Sequence, residues 1–290
     1  MNPARQILYK IAVSGLPERV LDAVPAVEEQ AYRQALRYVA GRTRDDAFRV
    51  ARSLAEEGLH ATVDFFGERV ADEAEAGAVA DAYIELARAV HELPESTSLS
   101  IDLSHIGVDL SADLCAAQLQ RITAAMPPWC RIEVGAEDAP RTDRILDVVL
   151  RAAASGARVM HTLQANLRRS PEDAQRLATA GVPVRLVKGA YVEDPAVALP
   201  WGPETDTAYV RLADQLHRGG VDVALATHDA GLREALLLSL SRCEVQMLLG
   251  VLPQEARALA ARGLDVRLYV PYGPNWARYW LRRLAESRGG

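Results

Sequence analysis

Cysteine is scarce in this chain. Cys115, Cys130 and Cys243 are odd in number, far apart and form no C-x-x-C pair, which excludes a disulfide framework and a thiolate zinc site and points to a reducing, cytoplasmic compartment. No apolar run reaches the roughly 18 residues a membrane helix needs, so no transmembrane span is expected. The opening MNPARQILYKIAVSGL lacks the long apolar core and small-residue cleavage site of a secretory leader, and none is expected there. Positive charge is not in excess: 33 Lys and Arg against 39 Asp and Glu leave a net charge of −6. Aromatics make up 6% of the chain and interleave no basic stripe, so nucleic acid is excluded as an expected partner. Turn dipeptides between neighbouring strand-like runs are also missing, which argues against antiparallel hairpins.

What remains is a chain of 290 residues, 49% hydrophobic and 25% charged, long enough to bury a core without staples. Residues 1–58 are helical in pattern, with apolar positions three and four apart through Val20 to Val27, Tyr32 to Val39 and Phe48 to Leu54. From residue 61 short β-rich runs alternate with amphipathic stretches. The runs are 61–66, 98–103, 130–135, 158–165, 182–189, 221–228, 243–249 and 265–272. After the fourth run, Ser170 is expected to cap a helix that Gly181 ends. Strand-then-helix units with long crossovers demand parallel strands, and eight of them predict an α/β fold of the (β/α)8 barrel type, with the helical arm 1–58 before a single barrel domain at 59–290. An open doubly wound sheet would want a G-x-G-x-x-G turn after its first strand, and VDFFGERV has only Gly67. The Pro-rich stretch 192–205 is an unusual loop on the side where a barrel keeps its chemistry.

In a parallel barrel the carboxyl ends of the strands carry the active site. Asp64, Asp102, Glu133, Gln164, Arg185, Lys188, Thr227, His228, Gln246, Tyr269 and Tyr272 fall at or near those ends and predict a cavity lined by both signs of charge. Asp64, Asp102, Glu133 and His228 are suitable ligands for a divalent cation, but no H-x-H or H-E-x-x-H spacing supports a metal. No serine or cysteine is placed as a nucleophile. Arg185 and Lys188, with Arg282 and Arg283 on the last helical stretch, suit an anionic group, because guanidinium binds carboxylate or phosphate through paired hydrogen bonds; a solvated terminal helix face is the plainer reading of Arg282 and Arg283.

RLVKGAYVE (185–193), YVPYGPNWARYWLRRLAE (269–286), ATHD (226–229) and LQANLRRS (163–170), with weaker matches at GLHATVDFFGE (58–68) and EVQMLLG (244–250), resemble the flavin-dependent proline dehydrogenase family. The resemblance runs from about Arg37 to Glu286. It implies a distorted barrel that holds FAD non-covalently across its strand ends and oxidises proline, or a related secondary amino acid, at the carbon beside the nitrogen. By matching position it implies that Arg185 lies against the flavin near the hydride-accepting nitrogen and that Gln164 bonds the flavin ring. It puts Lys188, Gly189, Ala190 and Tyr191 around the ribityl and pyrophosphate, with Thr227, His228, Gln246 and Glu286 completing the shell. It makes Arg282 and Arg283 the clamp on the substrate carboxylate, with Tyr269, Tyr272 and Tyr279 enclosing the ring. Arg185, Asp102 and Tyr269 are the expected catalytic positions. The family's electron acceptor implies a membrane quinone reached by peripheral contact.

The chain departs from the family's pattern in places. Asp102 stands where the family has a lysine in K-L-S/T, a reversed charge that is expected to disfavour a reduced flavin anion and favour a cationic substrate nitrogen. In IEVGAED (132–138) Glu133 is taken to replace the aspartate of L-D-x-E-D, with the acidic pair shifted by two residues. Asn166 replaces an aromatic, Val245 and Leu249 replace two more, and the chain stops soon after RRLAE, where a more exposed cofactor is expected. Two alternatives therefore stay open: a paralogue acting on a different amine, and a flavin-binding barrel without catalysis.

Overall fold

The structure is a computed structural model that describes residues 25–240 and 243–287. The first part of the helical arm, including the stretch read as lacking a leader, lies outside the described residues. The arm contributes α1 (Pro25–Ala35) and α2 (Arg44–Glu56). A capping box starts α2, Thr43 accepting from the Asp46 amide while the Asp46 carboxylate accepts from the Thr43 amide, which satisfies donors the first turn cannot.

Eight parallel strands then close into a barrel in chain order. They are β1 (His60–Phe65), β2 (Ser98–Ile101), β3 (Ile132–Val134), β4 (Val159–Gln164), β5 (Val184–Val187), β6 (Val223–Ala226), β7 (Glu244–Leu248) and β8 (Val266–Tyr272). The helices after them are α3 (Glu73–Ala89), α4 (Ala112–Ala124), α5 (Thr142–Ala154), α6 (Ser170–Thr179), α7 (Pro203–Arg218), α8 (Ala230–Ser239), α9 (Pro253–Ala261) and α10 (Trp276–Ser287). All eight expected strands form, each within the run that predicted it or one residue earlier. Ser170 does not cap α6: it is the helix's first residue, and its hydroxyl donates to the Gln164 carbonyl at 2.5 Å. Gly181 ends that helix as expected, just past its cap and at φ +66°, where a glycine pays no Cβ penalty.

Strand periodicity sorts the side chains. Val63, Leu99, Ile101, Ile132, Val134, Leu186, Leu225, Val245 and Val270 are buried in the layer between strands and helices. The alternate positions face the barrel interior, and they are mostly polar. Pairing sets which of them are neighbours: Asp64 stands beside Ser100, Ser100 beside Glu133, Thr162 beside Arg185, and Thr62 beside Tyr269, while the tilt of the strands steps each pair along the barrel axis. A second, smaller cluster ties the arm to the last helix. Ala31, Ala35 and Val39 pack with Phe66, Trp276, Ala277 and Tyr279, and the Tyr32 and Trp276 rings meet edge-on at 5.1 Å. The arm thereby braces α10. No described helix is long and apolar enough to cross a membrane.

Candidate active site

The mouth of the barrel is built around β1, β8 and α10. Asp64, at the inward end of β1, accepts from the Tyr269 hydroxyl of β8 and, at 3.2 Å, from Tyr83 of α3. Burial pushes its carboxyl up to about 6, against the pull of those two hydroxyls and of Arg185. Tyr269 lies 5.9 Å from the Tyr279 ring of α10, which also meets Phe66 edge-on at 5.2 Å. Residues 279 and 282 share a helix face. Arg282 donates to Glu68, which follows β1, at 2.5 Å, and Arg283 lies over the Tyr279 ring at 4.9 Å. One turn of α10 therefore brings a tyrosine and two guanidinium groups to the end of β1 and β8.

Asp102 follows β2 on the same side. Burial, then the charges of Glu137, Asp64 and Glu68, push its carboxyl well above the usual range, and Arg282 only partly offsets them. Glu137 is raised by burial in the same way, though it accepts from the Ser104 amide at 2.9 Å. Its carbonyl accepts from Gln164 at 2.9 Å, which links β4 to the loop after β3.

Gly135 follows the strand and faces Asp102, and Glu137 and Asp138 come after it in the loop. Glu133 sits deeper, wholly buried inside the barrel. Burial alone would raise its carboxyl, but Arg131, Arg267 and Arg185 outweigh it and hold it at about 2. The four candidate metal ligands are not gathered, and no group of three or more ligating side chains occurs among the described residues.

The remaining candidates divide. Arg185 bonds Thr162 at 2.8 Å and Glu133 at 3.3 Å. Lys188 pairs with Asp206 at 2.6 Å and Asp229 at 2.8 Å, while the second Asp229 oxygen caps α8. His228 accepts from the Leu248 amide at 3.2 Å, and burial with Arg283 and Arg233 nearby lowers it to about 4, so it is neutral. Thr227 accepts from the Asp229 amide, and Gln246 turns its amide down to Glu244 at 2.7 Å. Tyr272 lies on the outer face, beside Phe65 at 5.5 Å, because it is an odd number of residues from Tyr269 and strands alternate. The side chain of Glu286 lies outside the described residues. Sequence reasoning missed Glu68, Glu137 and Thr162 as parts of the site; the only signal for the two acids was their place just past a strand end.

The turn after β5 is the part of the mouth shaped for a flavin nucleotide's fit. Gly189 takes φ +112°, and a Cβ there would lie 2.0 Å from Asn166 Oδ1. That oxygen is buried with no hydrogen-bond partner, an unmet acceptor of the kind that calls for a ligand donor. The Asn166 backbone amide donates to the Lys188 carbonyl at 3.0 Å, which holds the two turns together. An unmet buried acceptor beside a glycine turn suits a polyhydroxylated cofactor that can donate to it.

A closed parallel barrel with a charged, aromatic-lined mouth under its last helix defines a small-molecule enzyme of the (β/α)8 class. A sequence model of the proline dehydrogenase family matches residues 47–289. Proline dehydrogenase 1 of Bacillus subtilis is 34% identical over 260 residues, covering 87% of this chain and 86% of the relative. The proline dehydrogenase of Deinococcus radiodurans is 32% identical over 297 residues, covering 97% of this chain and 94% of the relative. Among solved structures, proline utilization A (PutA) from Bdellovibrio bacteriovorus superposes with a TM-score of 0.82 at 22% identity, over 92% of this chain. The chain spans about a third, 34%, of that much longer protein. The chain belongs to the proline dehydrogenase family, a flavin-dependent family of oxidoreductases acting on CH–NH groups.

Proposed function

We propose that this protein oxidises proline at the carbon beside the ring nitrogen, giving the cyclic imine, with FAD as the bound cofactor. The observation that carries the reading is the meeting of Tyr279, Arg282 and Arg283 of α10 with Asp64 and Tyr269 at the barrel mouth. FAD would be held by Arg185, Gln164, the 188–191 turn, Thr227 and His228, and when bound it supplies the hydride acceptor. Arg282 and Arg283 take the substrate carboxylate, which fixes the ring's orientation; orientation is a large part of what a protein adds to a hydride transfer. Tyr269, held by Asp64, and Tyr279 wall the ring and exclude water. Arg185 offers positive charge where negative charge develops on reduction.

Burial and the charges of Glu137, Asp64 and Glu68 push the Asp102 carboxyl up, toward its neutral form, which lessens the expected penalty of a carboxylate on the reduced flavin. The reading with a different amine substrate and the reading without catalysis lose ground to the family relationship. The acceptor that reoxidises the flavin is read, from the resemblance alone, as a membrane quinone reached by peripheral contact, with the protein itself cytoplasmic.

The test is anaerobic mixing of the FAD-loaded protein with proline, hydroxyproline and pipecolate while flavin absorbance is followed. Proline is expected to bleach the flavin fastest, and Asp102→Asn, a neutral isostere, is expected to keep the rate within a few fold at neutral pH. A protein that takes up no flavin, or whose flavin proline leaves oxidised, overturns the reading.

A further inference from the structure

Barrel interiors of this type are ordinarily filled by layers of branched apolar side chains. Here the layers below the mouth hold a column of charge. Arg131, at the entry to β3, donates to Glu133 Oε1 through two nitrogens at 3.0 and 2.9 Å, and to Glu244 at 2.6 Å. Arg267 joins Glu244 at 3.0 Å and lies 3.7 Å from Glu133. Arg185 is the uppermost member. Three guanidinium groups thus face two carboxylates, and one positive charge is left over.

The bonding pattern says where the surplus sits. Arg131 and Arg267 each reach both carboxylates, whereas Arg185 reaches only Glu133, and at 3.3 Å. The two Glu133 oxygens are used differently. Oε1 takes Arg131, Ser98 and Thr62, while Oε2 faces Arg185. The next carboxylate upward, Asp64, is engaged by Tyr83 and Tyr269 and forms no ion pair with Arg185 among the described residues. Arg185 bonds Thr162 through Nε and Glu133 through Nη1, so Nη2 takes part in neither contact.

We propose that Glu133 is a positioning residue for the redox step: it holds Arg185 from below and sets how much positive charge that guanidinium presents to the cofactor. The proposal rests on the reading of Arg185 beside the flavin. A buried cation near a flavin favours its reduced, negatively charged form. A carboxylate one contact further away cancels part of that field, because Coulomb interaction falls with distance and is strong where water is excluded. The chain thereby trims the oxidising power of its own cofactor from inside the barrel, at a position that touches neither substrate nor flavin.

The experiment equilibrates the FAD-loaded full chain anaerobically with a redox dye and reads the ratio of reduced to oxidised flavin at a fixed dye ratio. Glu133→Gln is expected to raise that ratio at least tenfold. Because this variant leaves buried guanidinium groups short of a partner, Glu133→Gln with Arg131→Gln is measured alongside. The pair removes one charge of each sign, and since Arg131 lies deeper than Glu133 the ratio is expected to rise in the same direction by a smaller factor. Arg185→Met is expected to lower the ratio. If Arg185→Met leaves it unchanged, the placement of Arg185 fails and the inference with it. If Arg185→Met lowers the ratio while both Glu133 variants match the wild type or fall below it, the inference alone fails. Loss of fold in both Glu133 variants assigns Glu133 to the core and also overturns it.

Discussion

The carboxylate of Asp102 occupies the place where a side chain at Gly135 would begin: a Cβ on Gly135 would lie 1.8 Å from Asp102 Oδ1 and 3.1 Å from its Cγ. The ends of β2 and β3 are therefore one unit, in which the acid comes from β2 and the space from β3. Gly135→Ala is expected to destabilise the protein by about 1–3 kcal/mol, the scale of overpacking. Adding Asp102→Ala is expected to recover most of that loss, giving a coupling near 1 kcal/mol or more in a double-mutant cycle. Urea unfolding of the four proteins checks it, and additive losses would show that the two positions do not share space.

Stability should fall as pH rises through the range set by Asp64. Burial pushes its carboxyl up to about 6 in the folded protein, above the ordinary aspartate value of 3.8, so between those limits the unfolded chain releases its proton first. The contribution is complete below about pH 4 and gone above about pH 6, with a size of about 3 kcal/mol at most. Glu133, lowered from 4.5 to about 2, acts with the opposite sign: its contribution is complete only above the ordinary glutamate range and is lost as pH falls from there toward about 2, so it opposes Asp64 at the lower end of that window. Thermal melts across that window should show a slope that Asp64→Asn flattens; an unchanged slope would remove Asp64 as its source.

At the turn after β5, a methyl group has nowhere to go. Gly189→Ala meets both an unfavourable φ of +112° and the Asn166 side chain at 2.0 Å. The expected result is a protein that folds yet retains at least tenfold less flavin after dialysis, read from visible absorbance per chain. Full flavin content would show that this turn does not cradle the cofactor.

Arg283→Ala removes a guanidinium that lies over the Tyr279 ring. Hydrogen bonds to a charged partner are worth about 1.5–3 kcal/mol, so KM for proline should rise roughly ten- to a hundredfold, with a smaller change in the limiting rate of flavin reduction. Unchanged KM would take Arg283 out of the carboxylate clamp.

Eight parallel strands, their order and the barrel they close were legible in the sequence, because alternating apolar runs and long crossovers leave parallel pairing as the simple way to satisfy the backbone. Tyr279 and Arg282 were legible as neighbours for a similar reason, since residues three apart on one helix share a face; joining Arg283 to them as a clamp came from the family resemblance. Height inside the barrel was not legible. Glu133 and Gly135 are two residues apart and point the same way, yet one lies in a buried ion-pair column and the other makes room for Asp102. Tyr269 and Tyr272 are three apart, and strand alternation sends one into the mouth and the other to the outer face. The environment of Asp102 was equally out of reach: a sequence shows a carboxyl group, whereas the upward push on its proton affinity comes from burial and from Glu137, Asp64 and Glu68, which lie in other parts of the chain. Local periodicity is written in neighbours along the chain and can be read there. Register between strands, and the field that charges from distant parts of the chain make at one carboxyl, exist only once the barrel has closed.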